Sequence, residues 1–179
     1  MKKIIVVESS FREKGNSNIL AESFAMGAKE AGCSIKIIKL KDIKMGYCTG
    51  CMECTKLKRC ILNDSINLLL DDIQKADILV FATPIYYYEM SGQLKTFLDR
   101  LNPLFSRNNN FKEVYILMSC ADSDSSAMDN SINGIKGFVA CFDGLKFIKS
   151  INATNMTNVG DIKGSSFIKE AYSMGLSIR

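Results

Sequence analysis

Short runs of β-branched and other apolar residues alternate along this chain with segments of helical periodicity, and this alternation restricts its fold more than any other feature. A continuous apolar run is typical of a strand that is buried on both faces. We predict four such strands and a weaker fifth, at Ile4–Val7, Ile35–Ile38, Ile78–Phe81, Val114–Met118 and Phe147–Ile151.

The segments between these runs carry apolar residues at the spacing of amphipathic helices. The first pattern extends from Ile19 to Ala28 and ends at Ala31-Gly32, where glycine favours a helix stop. Further helices are predicted around Leu68–Ile73, Leu94–Leu101, Met128–Phe142 and Phe167–Leu176. Alternating strands and helices indicate a parallel sheet that is covered by helices on both faces.

In an open parallel sheet, ligands bind beyond the carboxyl ends of the strands, where the strand order reverses. The loops after the first, third and fourth strands are therefore the candidate binding loops. The first of them, Ser9–Asn18, combines hydroxyl groups, Arg12 and Gly15, and it leads directly into a helix. These groups and the free N–H groups of a helix start suit a bound phosphate. Asn16 or Ser17 also suits simple capping of the helix, so two interpretations stay open.

A cysteine-rich insertion at 45–62 interrupts the alternation of strands and helices. It holds four of the seven cysteines of the chain, at Cys48, Cys51, Cys54 and Cys60. Thiolates this close in sequence fit a 4Fe-4S cluster or a tetrahedral zinc ion, and the third interpretation is free or disulfide-forming thiols. Lys56, Lys58 and Arg59 are expected to stabilise thiolate charge there. The chain has no histidine, which excludes imidazole ligands and a histidine general base.

The length of 179 residues predicts one domain that spans residues 1–179. No run of eighteen apolar residues occurs, and the first apolar run stops at Val7, so we expect neither a membrane span nor a signal peptide. We therefore expect a cytoplasmic protein with reduced thiols. A net charge of +4 with dispersed lysines does not favour nucleic acid as a partner. Small buried apolar positions are predicted for the remaining cysteines, Cys33, Cys120 and Cys141.

The residue order from Ala82 to Arg100 goes beyond a generic strand–loop–helix pattern. With the first loop and the cysteine segment, it resembles the flavodoxin-like NAD(P)H-dependent FMN reductases, and among them the iron–sulfur flavoproteins. Those proteins carry Gly-Ser-Pro-Arg-x-x-Gly-Asn-Thr after their first strand, which corresponds to Ser9–Ser17. They also carry Pro-x-Tyr, Ser-Gly-x-Leu-Lys and Asp-Arg, which are matched by Pro84, Tyr86, Ser91, Gly92, Leu94, Lys95, Asp99 and Arg100. The resemblance covers roughly residues 1–120.

The resemblance implies an α/β fold of the flavodoxin-like type, a three-layer, doubly wound five-stranded parallel sheet of order 2-1-3-4-5. It also implies FMN as a cofactor. The expected phosphate contacts are Ser10, Arg12, Asn16, Ser17 and Asn18. The expected contacts of the flavin ring are Pro84, Ile85, Tyr86, Tyr87, Ser119, Cys120 and Asp122. Ser9 stands where relatives have glycine and Phe11 where they have proline, so we expect a less close backbone approach to the cofactor.

The implied activity is that of a flavin oxidoreductase. NAD(P)H as co-substrate delivers hydride to FMN, which passes electrons to a small-molecule or redox-protein acceptor, and no side chain needs to act as acid or base. Relatives commonly form dimers or tetramers, so a homodimer or homotetramer is expected. One alternative is an electron carrier that binds flavin but does not accept hydride from a nicotinamide. Another is a flavin-free binding domain whose cysteines hold zinc.

Two sets of polar residues have a structural interpretation beside the functional one. The three tyrosines Tyr86–Tyr88 suit strand-end packing or a dimer surface, but we expect at least one of them to contact the flavin. Lys95, Asp99 and Arg100 lie at helical spacing. We predict that they form a solvated charge group and take no part in catalysis.

Overall fold

The computed structural model describes residues 1–178 and contains a predominantly parallel sheet. Its strands are β1 (Lys3–Glu8), β2 (Ser34–Lys39), β3 (Ile78–Tyr86), β4 (Glu89–Met90), β5 (Glu113–Ser119) and β6 (Lys146–Ala153). Five of them are parallel in the order β2-β1-β3-β5-β6, and β4 pairs with β3 in antiparallel orientation. Counted among the parallel strands alone, this is the predicted order 2-1-3-4-5. The prediction missed the two-residue strand β4.

Helices connect the strands as the periodicity predicts. They are α1 (Asn16–Glu30), α2 (Cys54–Leu57), α3 (Ile66–Gln74), α4 (Gly92–Asp99), α5 (Asp129–Ala140) and α6 (Ser166–Leu176). Short 3-10 turns follow β2, α4 and β5, at Leu40–Asp42, Asn102–Ser106 and Ser125–Met128. The predicted stop of the first helix is confirmed, because Ala31 is its C-cap and Gly32 adopts a φ of +85°. Only the one-turn helix α2 had no periodic signal.

The core lies on both faces of the sheet, because successive side chains of a strand point to opposite sides. In β1, Ile5 and Val7 pack in the cluster on the side of α3, α4 and α5. Ile4 and Val6 pack in the cluster on the side of α1 and α6. All four are at most 4% exposed, which explains why this strand reads as a continuous apolar run.

Helices α1 and α6 pack at unusually short distance. A Cβ atom at Gly27 would lie 2.1 Å from the carbonyl oxygen of Tyr172, and one at Gly175 would lie 2.1 Å from the carbonyl oxygen of Phe24. Only glycine permits so close a backbone approach. The two glycines therefore fix the position of α6 against α1, whose first turn carries the candidate site. Within residues 1–178, no helix has the length and apolarity that a bilayer crossing requires.

Candidate functional site

A cleft opens at the carboxyl ends of β1, β3, β5 and β6, where parallel strands bring their following loops to one edge of the sheet. It encloses about 150 Å³. Nine of the predicted cofactor residues line it, namely Ser10, Arg12, Asn16, Ser17, Pro84, Ile85, Tyr86, Ser119 and Cys120. Three others, Asn18, Tyr87 and Asp122, do not line it.

The loop after β1 turns tightly into α1. The N–H of Gly15 donates to the carbonyl of Arg12, and a Cβ atom at Gly15 would lie 2.6 Å from Ser10 Oγ. Gly15 is the N-cap residue of α1, and no side chain caps the helix. The capping interpretation of Asn16 and Ser17 is therefore wrong. The N–H groups of the first helical turn have no acceptor within the helix and remain available to a ligand.

Ser17 is the most informative residue of this loop. Its side chain is completely buried, and its Oγ has no hydrogen-bond partner within residues 1–178. A buried hydroxyl without a partner costs about 1–3 kcal/mol, so native structures rarely keep one unless something else binds it. Ser17 lies in the first turn of α1 and lines the cleft. The hydroxyl is thus placed for an anionic ligand at the helix start.

The two asparagines of this segment have structural partners. Asn16 Nδ2 donates to the carbonyl of Asn158 at 2.8 Å, and Asn16 Oδ1 accepts from the N–H of Gly160 at 3.0 Å. Asn18 Nδ2 donates to the carbonyl of Ser10 at 3.2 Å. These bonds hold the loops after β1 and β6 in place. From Asn16 we therefore expect a backbone N–H, and not its side chain, to face a ligand.

Ser9 occupies the place where relatives carry glycine, and its side chain is used for structure. The Ser9 hydroxyl donates to the carbonyl of Ala82 at 2.9 Å and accepts from the hydroxyl of Ser91 at 2.9 Å. Ser91 is the N-cap of α4, and its N–H donates to Thr83 Oγ1 at 3.0 Å. All of these groups are buried. The network joins β1, β3 and α4, and Ser9 is not among the residues that line the cleft.

A tight hairpin follows β3, and the sequence pattern did not predict it. Tyr86 pairs with Glu89, which leaves Tyr87 and Tyr88 as the two central residues, with φ values of +51° and +61°. Two positive φ values define a type I′ turn, which normally contains asparagine and glycine. Tyr86 lines the cleft, whereas the Tyr87 side chain is fully exposed.

The loop after β5 contributes Ser119 and Cys120 to the cleft. Cys120 is 4% exposed, and burial raises the pKa of its thiol, which donates to the carbonyl of Asp122 at 3.4 Å. This thiol is therefore neutral at physiological pH. The Asp122 side chain accepts from the Tyr88 hydroxyl at 3.4 Å, outside the cleft.

The fourth wall of the cleft was not predicted from the sequence. Met156, Thr157 and Val159, from the loop after β6, line it. Arg12 Nη1 donates to the carbonyl of Thr157 at 3.2 Å, and the N–H of Met156 donates to the carbonyl of Cys120 at 2.7 Å. The rule that ligands lie beyond the carboxyl ends of strands applies equally to this loop, so the fifth strand was a signal for it.

The cysteine segment forms a second recess, next to the C-terminal end of α4. All four of its cysteines line this recess, at Cys48, Cys51, Cys54 and Cys60. Cys54 and Cys60 are half-buried, and the other two are exposed. Burial raises the pKa of the Cys54 thiol, and the neighbouring thiols raise it further. Within residues 1–178, no three Cys, Asp or Glu side chains converge on a single metal-ion position.

Arg100 does not belong to a solvated charge group, and that part of the prediction is wrong. Its side chain is 1% exposed and forms a two-pronged ion pair with Asp64, at 2.7 and 2.9 Å. It also donates to the carbonyl of Gly46 at 2.6 Å and to Cys60 Sγ at 3.3 Å. Lys95 and Asp99 do form the predicted exposed pair, at 2.7 Å.

Two further observations concern the cysteines and their neighbours. Burial opposes ionisation of Asp64, but the hydrogen bonds from Arg100 and from the N–H groups of Gly46 and Ile66 outweigh it and lower its pKa. Cys141 is exposed, so its prediction as a buried apolar position is wrong. Cys120 is buried as predicted, and Cys33 is half-buried.

Comparison with solved structures shows the type of fold. The structure aligns with an NAD(P)H:quinone oxidoreductase from Methanothermobacter marburgensis over 97% of this chain and 94% of the other, with a TM-score of 0.78 and 16% sequence identity. Its fold is flavodoxin-like, as predicted. The model of the NADPH-dependent FMN reductase family matches residues 2–137, and the chain belongs to that family.

Two curated relatives narrow the resemblance. An iron–sulfur flavoprotein of Methanocaldococcus jannaschii is 30% identical over 102 residues, which cover 57% of this chain and 53% of the relative. A putative NAD(P)H-dependent FMN-containing oxidoreductase of Bacillus subtilis is 27% identical over 130 residues, which cover 68% of each chain. The chain spans about half the length of the first three iron–sulfur flavoproteins that it matches.

Proposed function

We propose that this chain is an FMN-dependent oxidoreductase that accepts hydride from NAD(P)H and passes electrons to a small-molecule or redox-protein acceptor. The observation that carries the proposal is the buried hydroxyl of Ser17, which lacks a partner within residues 1–178 at the start of α1. It lies in a cleft at the carboxyl ends of four parallel strands, in a chain of the NADPH-dependent FMN reductase family. This is where a mononucleotide phosphate fits a sheet of this type.

The residues of the first loop fit the phosphate of FMN. The Ser17 hydroxyl and the N–H groups of the first turn of α1 are donors without intrahelical partners. The absence of a side chain at Gly15 keeps the approach to this turn open. Arg12 adds a positive charge at the rim of the cleft. One of its five side-chain N–H groups donates to the carbonyl of Thr157, which leaves the others to donate to a phosphate.

The other walls of the cleft fit a flat ring. Pro84, Ile85 and Tyr86 present apolar and aromatic surface, and Ser119 and the neutral Cys120 thiol add no negative charge. Bound FMN supplies the hydride-accepting and electron-donating chemistry. The contribution of the protein is to hold the ring, to cover one side of it from water and to keep the phosphate fixed.

Two serines of α1 give a matched test of this proposal. Ser17→Ala is expected to weaken FMN binding about tenfold to a hundredfold, because it removes a hydrogen bond to a charged phosphate, and to leave the stability of the FMN-free protein unchanged or higher. Ser23 Oγ donates to the carbonyl of Ile168 at 2.8 Å, so Ser23→Ala is expected to lose about 1 kcal/mol of stability and keep its FMN affinity.

Quenching of FMN fluorescence measures the affinity, and thermal unfolding of the FMN-free proteins measures the stability. Arg12→Ala is expected to weaken FMN retention and to leave the flavin spectrum unchanged. Equal FMN affinities of wild type and Ser17→Ala would overturn the assignment of the first loop. Anaerobic mixing with NADPH tests the enzyme assignment: bleaching of the flavin supports it, whereas a flavin that stays oxidised identifies an electron carrier.

A 4Fe-4S cluster at the cysteine segment is the second part of the proposal. The four thiols line one recess, although within residues 1–178 no three of them converge on a single ion position. Two side-chain donors face their sulfur atoms. Arg100 donates to Cys60 Sγ at 3.3 Å, and Asn102 Nδ2 lies 3.6 Å from Cys48 Sγ. Donors to ligand sulfurs are common around iron–sulfur clusters. Curated relatives named iron–sulfur flavoproteins add support from the family.

Anaerobic purification followed by assays of iron, sulfide and zinc tests this part. About four iron and four sulfide per chain, with an electron-paramagnetic-resonance signal after reduction, are expected for a 4Fe-4S cluster. Zinc without sulfide identifies a structural zinc site, and metal-free protein identifies free thiols. Either result overturns the cluster and leaves the FMN site untouched, because the two sites use different residues.

A homodimer or homotetramer in a reducing compartment such as the cytoplasm completes the proposal. The exposed tyrosines of the β3–β4 hairpin support self-association, since exposed aromatic side chains are enriched at interfaces. Sedimentation of Tyr87→Ser is expected to show a smaller species than wild type, whereas Leu68→Ser, at another exposed apolar position, is expected to leave the mass unchanged. The seven free cysteines support a reducing compartment.

A further inference from the structure

Arg100 is a buried cation whose side-chain partners lie in the cysteine segment or, in the case of Asp64, just after it. It is the C-cap residue of α4 and is 1% exposed. Its side chain reaches residues that lie 36 to 54 positions earlier in the chain. A guanidinium is always charged, and burying it is costly unless acceptors surround it. The position of each acceptor therefore indicates what the charge is for.

Two of these acceptors close the base of the cysteine loop. Arg100 Nη1 donates to the carbonyl of Gly46 at 2.6 Å and to Asp64 Oδ2 at 2.7 Å. The N–H of Gly46 also donates to Asp64 Oδ2, at 3.0 Å. Gly46 precedes Cys48, and Asp64 follows Cys60, so Arg100 and Asp64 join the two ends of the loop that carries all four cysteines.

The third acceptor is a sulfur atom. Arg100 Nη2 donates to Cys60 Sγ at 3.3 Å, beside its bond to Asp64 Oδ1 at 2.9 Å. The main chain of Cys60 is held separately, because its N–H donates to Asn67 Oδ1 at 2.9 Å and its carbonyl accepts from Asn67 Nδ2 at 2.9 Å. Asn67 thus fixes the backbone of Cys60, and Arg100 acts on the sulfur itself.

One donor of Arg100 remains without an acceptor. Its Nε–H is buried and has no hydrogen-bond partner within residues 1–178. Arg100 is one of the residues that line the recess, together with the four cysteines. An unsatisfied buried donor of a charged group is rare. The buried positive charge of Arg100 and its bond to Cys60 Sγ favour an occupant of the recess that carries negative charge.

We propose that Arg100 is a positioning residue for the cysteine site. It closes the base of the 46–64 loop and, through its hydrogen bond to Cys60 Sγ, stabilises the reduced state of the cluster, which carries one electron more than the oxidised state. The inference rests on the proposed iron–sulfur cluster. A hydrogen bond to a ligand sulfur and a nearby positive charge would both favour the reduced cluster, which takes up one electron from the reduced flavin of the proposed function with no bond made or broken.

Substitutions at Arg100 and Asp64 separate this role from a purely structural one. Arg100→Gln removes the positive charge and is expected to shift the cluster midpoint potential to more negative values. Asp64→Asn removes the negative charge, leaves Arg100 in place, and is expected to shift the potential to more positive values. Lys95→Gln on the exposed side of α4 is the matched control and is expected to leave the potential unchanged. If Arg100 only closed the base of the loop, the two substitutions would not shift the potential in opposite directions.

The measurement is a redox titration of anaerobically purified protein, followed by electron paramagnetic resonance. Arg100→Gln leaves Asp64 as a half-buried carboxylate without its cation and risks loss of the cluster, so Arg100→Lys is measured beside it. Arg100→Lys keeps the charge and cannot reach three acceptors at once, so a smaller negative shift is expected. Potentials of the Arg100 and Asp64 variants that all equal the wild-type value would overturn the proposal, as would shifts of the same sign.

Limited proteolysis of the metal-free protein provides a readout that does not need the cluster. Lys56, Lys58 and Arg59 are exposed trypsin sites in the loop. Arg100→Lys is expected to speed cleavage there by at least about tenfold, because the loop base opens more often. Unchanged cleavage would refute the role of Arg100 in closing the base of the loop. If wild-type protein holds no iron or sulfide, the proposed cluster is wrong, and proteolysis still tests whether Arg100 closes the loop.

Discussion

Replacement of Glu8 by glutamine tests the energetic cost of a buried carboxylate at the end of β1. Glu8 is 1% exposed, its Oε1 has no partner within residues 1–178, and its Oε2 lies 3.8 Å from Lys39 Nζ. Burial raises the pKa of this carboxyl from 4.5 to about 7, a rise that Lys39 and Lys41 oppose and that Glu22 and Asp42 reinforce. The ionised form is therefore less stable in the folded protein than in the unfolded chain.

The sign and size of the effect follow from the two pKa values. Well below pH 4.5 the Glu8 side chain is protonated in both states, and its ionisation costs nothing. As the pH rises from 4.5 to about 7, the unfolded chain loses its proton first, so the free energy of unfolding falls. Above pH 7 the folded state carries the whole cost, about 3 kcal/mol. Glutamine has no proton to lose, so Glu8→Gln abolishes this fall.

Urea unfolding of FMN-free protein at pH 5 and pH 8 measures the difference. The stability gained by Glu8→Gln over wild type is expected to be about 2.5 kcal/mol larger at pH 8 than at pH 5. Glu170→Gln, at an exposed carboxylate paired with Lys149, is the control and is expected to show no such change. A difference below about 1 kcal/mol would refute the reasoning, because it would mean that the carboxylate is solvated in the folded state.

Three further predictions concern stability. Gly175→Ala is expected to lower the free energy of unfolding in urea by at least about 2 kcal/mol, since its Cβ would lie 2.1 Å from the carbonyl oxygen of Phe24. Gly137→Ala, in open space on α5, is expected to raise it by about 0.5–1 kcal/mol, and equal effects of the two substitutions would contradict the close packing of α1 and α6. Tyr88→Gly is expected to stabilise the hairpin by about 1 kcal/mol, because φ is +61° there; a loss in thermal unfolding would contradict this. Lys95→Ala is expected to change stability by less than about 0.5 kcal/mol, and a larger loss would show that its exposed pair matters to the fold.

The fold could be predicted because its signals are local. The continuous run Ile4–Val7 and the glycine stop at Gly32 depend on burial and backbone conformation within a few residues, and both are confirmed. Strand β4 and the hairpin before it could not be predicted in the same way. Tyr87 and Tyr88 do not favour positive φ, so only the pairing of Tyr86 with Glu89 makes the turn visible.

The candidate site was predictable where one loop supplies both a turn and a helix start. Ser10, Arg12 and Ser17 come from such a loop and line the cleft together. Met156 was not predicted, because it lies in the loop after the fifth strand, whose apolar pattern is weak. Whether these residues bind FMN stays a prediction for the titrations described above.

Arg100 shows why charge near a site is hard to assign from sequence. Lys56, Lys58 and Arg59 are neighbours of the cysteines in the chain, yet their side chains are exposed, and the cation that contacts a cysteine sulfur comes from the end of α4. Helical spacing correctly predicted that Arg100 lies at the end of the helix that carries Lys95 and Asp99. Spacing within one helix cannot reveal that a loop folded over that position, so its burial was not predictable.

Backbone strain in this molecule is not spread evenly but lies in the loops around the cleft and in the cysteine segment. Within residues 1–178, the non-glycine residues with positive φ are Lys14, Met52, Lys58, Tyr87, Tyr88 and Asn155. Each lies in a loop after the carboxyl end of β1, β3 or β6, or in the cysteine segment. Such conformations cost about 1 kcal/mol or more apiece and persist where surrounding structure enforces them. The unpartnered donors of Ser17 and Arg100 lie at the same two places. If ligands at the cleft and at the recess satisfy those donors, their binding offsets part of this cost, so removal of either ligand should loosen its own loops and leave the helices α1 and α6 packed.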